Sequence, residues 1–172
     1  WSSDVCSSDL NLSASSIALF KDDTYVTGLT NASNRDTIYV QLTTASDPES
    51  GTANIVPLLT SSNTYSKDVR FYLKETAVNS KVFRGKVTLV RSRNSSKISQ
   101  VSGDLGDTVS FKTSDSTSAT AALTVINAPP IAKFITLKQE GIGSETKVNI
   151  GMTLFDYDGN KDRKSTRLNS SH

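Results

Sequence analysis

Apolar residues along this chain recur at every second position in short runs, separated by clusters of Ser, Thr, Asn, Asp and Gly. That period is the mark of extended strands with one buried face. Ile38, Val40 and Leu42 alternate with Tyr39, Gln41 and Thr43. Val69, Phe71 and Leu73 alternate with Arg70, Tyr72 and Lys74, and Phe83, Gly85, Val87 and Leu89 share one parity, as do Val109 and Phe111. Ser16–Phe20 and the run Ala121, Leu123, Val125 add strands at either end. No window shows an apolar period near 3.6, so the pattern predicts an all-β chain.

The joints follow from turn chemistry. Lys21–Asp23 reads as a polar turn, Thr24–Val26 as a short extended piece, and Asn31–Arg35 as loop by composition. Ala53–Leu59 reads as a strand, but Pro57 cannot donate to a ladder, which predicts an edge position or a bulge. Ser61–Thr64 and Gly106-Asp107 read as turns, and Arg91–Lys97 as the tip of a hairpin-like stretch. The sum is seven or eight strands over residues 15–126, the spacing of an immunoglobulin-type β-sandwich.

Asn127-Ala-Pro-Pro130 then punctuates the chain, because two prolines exclude helix and central strand alike. Beyond it the alternation restarts: Ile131–Leu137 is apolar, Gly141–Ser144 turns, and Val148, Ile150, Met152 and Leu154 share a parity. The expected organisation is a sandwich over 11–126, a linker at 127–130 and the truncated start of a second immunoglobulin- or cadherin-like β domain over 131–161. Such a start is marginal alone, since about three strands with a covered face are needed for independent stability.

Residues 1–10 and 162–172 stand outside this pattern and resemble in-frame translations of sequencing-library adapters along their full length, so they are read as non-native tails. The coding sequence abutting both tails predicts a fragment of something longer. The tails hold the only Trp, Cys and His of the 172 residues. Without them the basic residues fall from 19 to 16 (Arg163, Lys164, Arg167) and the acidic from 17 to 14 (Asp4, Asp9, Asp162), leaving the net charge at +2. Scattered charge of that size is no nucleic-acid footprint, and no apolar run approaches the roughly 20 residues that cross a bilayer. A chain free of Cys is either cytosolic or secreted with a core large enough to need no disulfide; abundant Ser, Thr, Asn and Asp favour the latter.

Residues 73–85 read Leu-Lys-Glu-Thr-Ala-Val-Asn-Ser-Lys-Val-Phe-Arg-Gly, and 106–111 read Gly-Asp-Thr-Val-Ser-Phe. These resemble a module of very large prokaryotic cell-surface proteins, in which L-x-E-T-G-x-N-[ST]-G-x-F-x-G precedes a strand and G-D-x-[VI]-x-[VAF] opens a later one. The resemblance covers residues 15–126 and implies an immunoglobulin-like sandwich at the cell surface. It implies that Asn79 caps a tight bend through its side chain, that Phe83 fills the core, and that Gly85 marks the turn into the next strand. Ala77 and Lys81 replace pattern glycines. If those backbones need positive φ, each is strained and the bend is looser.

Candidate chemistry is sparse. Asp156, Asp158 and Asn160 place oxygen donors at alternate positions, as a calcium site of cadherin-like domain edges does, although Gly159 precedes the third donor and no Glu follows. Read plainly, Asp-Gly-Asn is a turn. Asp22-Asp23 and the pair Asp104, Asp107 read as solvated turns. Asn11, Asn31 and Asn94 open Asn-x-Ser triplets of a kind expected by chance in such a composition. Without Cys or His the common nucleophile and base pairs are missing, so no enzyme and no resident cofactor beyond calcium is expected. The expected role is a structural spacer in an extracellular adhesin or surface-layer stalk, with adjacent β-sandwich domains as partners. The alternative is a ligand- or carbohydrate-recognition module of a secreted or phage-fibre protein, binding a surface protein or glycan. That alternative gains if Tyr39 and Tyr72 lie side by side on an exposed sheet and loses if they are apart.

Overall fold

The computed structural model describes residues 16–46, 51–91, 99–113, 119–129, 131–140 and 147–155. Every regular element among them is a strand, which meets the all-β expectation. The chain divides into two compact units between Ile126 and Asn127.

The first unit holds β1 (Ser16–Phe20), β2 (Asn31–Ser33), β3 (Thr37–Thr43), β4 (Ile55–Ser62), β5 (Val69–Glu75), β6 (Val82–Val90), β7 (Gln100–Ser102), β8 (Thr108–Thr113) and β9 (Thr120–Ile126). They form one hydrogen-bonded mixed sheet in the order β1-β3-β6-β5-β4-β8-β9-β2, with β7 paired to β6. The alternation in sequence is the alternation in burial. Ile38, Val40 and Leu42 of β3, Val56 and Leu58 of β4, Leu73 of β5, Phe83 and Leu89 of β6, and Val109 and Phe111 of β8 are sealed from solvent in one core. Each such side chain contributes about 1.5–3 kcal/mol of transfer free energy. Phe71 and Phe111 meet edge to face, centroids 6.0 Å apart.

The sheet curls at β5. This strand pairs with β4 over six residues but with β6 only through Lys74↔Arg84 and Glu75↔Phe83. Where the pairing stops, Leu73 comes over Gly85: a Cβ at Gly85 would lie 2.6 Å from Leu73 Cδ2 and 3.0 Å from the Tyr72 carbonyl oxygen. Gly85 therefore lies inside β6, where a close strand crossing requires glycine, and does not mark a turn into the next strand. Phe83 fills the core as expected.

Successive neighbours from β1 to β9 are all antiparallel, so β1 and β9, six steps apart, run the same way, and they approach each other directly. Ser16 consequently lies at one pole and Ile126 at the other. Loops 44–46, 51–54 and 76–81 gather at the first, proximal pole, and loops 34–36, 62–65 and 103–107 at the second, distal pole.

Several expectations are corrected. Asn31–Ser33 is strand, because Ala32 is buried and pairs in parallel with Val125 of β9. Thr24–Val26 is not extended: Tyr25 has φ 57° and its N–H bonds to the Asp22 carbonyl. β4 is a central strand, and its pairing with β8 begins only at Leu58, so Pro57 lies just past that ladder. β6 and β7 are not the two arms of a hairpin, since β7 runs parallel to β6; the expected tip, apart from Arg91, lies outside the described residues. Among the described residues the strands of this unit number nine, two of them three residues long.

In the second unit β10 (Ile131–Glu140) and β11 (Lys147–Phe155) form an antiparallel pair with a bulge between Ala132 and Phe134. The register sets Ile135 opposite Met152 and Leu137 opposite Ile150.

Candidate functional site

Two buried carboxylates hold the poles. At the distal pole Asp107, 7 % exposed, accepts hydrogen bonds from Ser62 Oγ at 3.1 Å, Thr64 Oγ1 at 2.8 Å, Thr64 N at 3.3 Å and Asp104 N at 3.0 Å. Burial alone pushes the Asp107 carboxyl up, but the donors from Asp104, Thr64 and Ser62 together outweigh it and hold the group below its usual range. Gly106, at φ 86°, supplies the left-handed backbone of this turn. Asp104 faces outward to Tyr65 Oη at 3.4 Å and Arg91 at 3.6 Å. The Gly-Asp pair thus builds a clamp between the β4–β5 and β7–β8 connections, and for Asp107 the expected solvated turn is corrected to a buried one.

At the proximal pole Glu75, 3 % exposed, plays the same part. Its Oε2 accepts from Asn54 N at 3.0 Å and Asn54 Nδ2 at 3.3 Å; its Oε1 accepts from Lys81 N at 3.1 Å and Ser80 Oγ at 3.4 Å. The Asn54 N–H bond is the largest reason the Glu75 carboxyl stays below its usual range. Asn79 and Lys81 both adopt positive φ, 62° and 59°, whereas Ala77 does not. Of the two replaced glycines only the one at Lys81 answers to backbone strain. Asn79 does not cap its own bend; its Oδ1 accepts from Gly51 N at 3.1 Å and ties two loops together.

Asp156, Asp158 and Asn160 lie outside the described residues, as do the triplets opened by Asn11 and Asn94. Among the described residues no three His, Cys, Asp or Glu side chains group as a metal site. Asp22 accepts from both the N–H and the hydroxyl of Thr24, and the hydroxyl bond is the first cause holding its carboxyl low. No helix among the described residues is long and apolar enough to cross a membrane.

Tyr39 and Tyr72 share no ring contact. Tyr39 packs edge to face on Tyr25 at 5.9 Å, Tyr25 on Phe20 at 5.5 Å, and Arg84 stacks 4.1 Å over the Tyr25 ring while its Nε donates to Gln41. Burial is the leading reason the Tyr25 phenol is pushed above its usual value. Tyr72 stands exposed on β5. The tyrosine platform that would favour sugar stacking is not assembled.

Two recesses stand out among the described residues. A groove of about 450 Å³ runs between the 21–31 segment and the start of β3, lined by Lys21, Asp22, Leu29, Asn31, Asp36 and Tyr39. A smaller cleft of about 280 Å³ lies between β4 and β7, lined by Thr60, Tyr65, Lys67, Val69 and Val101. Neither was legible in sequence, because each joins residues from segments whose pairing the alternation does not specify. Compared with known protein-family models and with curated proteins, the chain matches none.

Proposed function

We propose that residues 16–126 form an immunoglobulin-like spacer module of an extracellular cell-surface protein, one bead of a stalk whose partners are neighbouring β domains of the same chain. The observation that carries this reading is the placement of Ser16 and Ile126 at opposite poles, with β1 and β9 running the same way. Tension along the chain then enters at one pole and leaves at the other. The parallel β2–β9 ladder, near the distal end, is loaded along its strands, so its hydrogen bonds resist together. The proposal assigns the unit no catalysis: Glu75 and Asp107, the two buried carboxylates among the described residues, are consumed by turn N–H and hydroxyl groups.

Single-molecule stretching of the full chain tests the reading. Handles at Ser16 and Ile126 should give a higher unfolding force than handles at Ser16 and Thr43, which face each other across one end of the β1–β3 ladder and separate bond by bond. An equal or lower pole-to-pole force refutes the spacer.

A further inference from the structure

The groove beside Tyr39 differs from the poles in how its polar groups are spent. Both oxygens of Glu75 and of Asp107 are engaged by turn donors. In the groove each carboxylate uses one oxygen to fix its orientation and leaves the other open. Asp22 Oδ1 is held by Thr24, and Asp36 Oδ2 accepts from Ser33 N at 2.7 Å. Among the described residues no hydrogen bond engages the Lys21 ammonium, the Asn31 side-chain amide or the Tyr39 hydroxyl. Asn31 lies on β2 and Tyr39 on β3, and Leu29 adds an apolar wall.

We propose that this groove binds a neutral sugar, one or two rings of a surface glycan, through hydrogen bonds to its polar lining and not by stacking on the unassembled Tyr39–Tyr72 platform. A volume of about 450 Å³ falls within the range of small-ligand sites, which pair apolar wall with a few placed polar groups. Carbohydrate hydroxyls both donate and accept. The groove offers acceptors at Asp22 and Asp36, donors at Lys21, and both at Asn31 and Tyr39. The charge count argues against the other small ligands. Two carboxylates disfavour an anion, and the Lys21 ammonium in the same lining opposes a divalent cation. Orienting each carboxylate through its second oxygen lowers the ordering cost on binding. This inference is independent of the stalk reading, since a spacer with or without a sugar site has the same poles.

The test is a backbone amide NMR titration of the full 172-residue chain with glucose, galactose, mannose, N-acetylglucosamine, maltose and lactose, and separately with calcium chloride. At least one sugar should give saturable shifts centred on Lys21, Asp22, Leu29, Asn31, Asp36 and Tyr39, with Kd of about millimolar order. Asn31→Ala removes an exposed amide that no hydrogen bond ties to the fold and should weaken that sugar about three- to tenfold; Lys21→Ala is the second probe. No saturable shift at the groove with any sugar, an affinity unchanged in both variants, or the same shifts with calcium alone would each overturn the proposal.

Discussion

Thr60 sits at a core-facing position of β4, 1 % exposed, and its hydroxyl is the one buried side-chain polar atom among the described residues without a hydrogen-bond partner. A buried hydroxyl left unpaired forfeits its hydration, a cost of about 1–3 kcal/mol. Thr60→Val keeps the shape and removes the orphan, so unfolding in urea should shift to higher denaturant by about that energy. A lower midpoint would mean the hydroxyl is paired. The two polar clamps predict the opposite sensitivity. Glu75 and Asp107 are held below their ordinary values of 4.5 and 3.8. Their stabilisation is therefore complete above about pH 4.5 and is lost as pH falls through the lower native values. Asp107→Asn and Glu75→Gln should each lower stability at neutral pH and flatten its fall in acid. Denaturant midpoints measured from pH 7 down to about pH 2 check this; an acid limb as steep as that of the parent protein would exclude the carboxylates as its source.

At the scale of elements, the sharpest departure from composition is β2. Asn31-Ala-Ser33 carries every mark of a loop, yet it supplies a parallel edge to β9 and buries Ala32 at 1 % exposure. If the segment were a surface loop, Ala32→Asp would change stability by no more than about 0.5 kcal/mol. As a buried strand position it should cost well over 1 kcal/mol, read from urea unfolding, because an unpaired charge enters the core. Strands that bury one face over five or more residues, such as β3, β5 and β8, were legible because alternation is a local signal. β2 and β7 were not, since three residues hold too little pattern and their partners are distant in sequence. Pro57 misled for the same reason: its tolerance depends on where β8 ends, which residues 53–59 do not encode. The clamps were half visible. Glu75, Asn79 and Asp107 stood in recognisable motifs, but that Asn79 reaches Gly51 and Asp107 reaches Thr64 is a matter of tertiary approach.

At the scale of the whole first unit, each pole is closed by one carboxylate that gathers main-chain N–H groups from two connections. Pole-to-pole pulling and the neutral-sugar titration test separate proposals, one resting on the ladders and the other on a recess beside β3. A failure of either leaves the other standing.

The even number of antiparallel steps from β1 to β9 has an arithmetic outcome for any chain built by repeating this unit. Each repeat would hand the polypeptide onward in the direction it arrived, so reach would grow in proportion to copy number, by roughly 30 Å for a nine-residue strand such as β6. One strand more or fewer along that route would return the chain to its starting side, and the same sequence of folds would make a row of side branches in place of a lengthening rod.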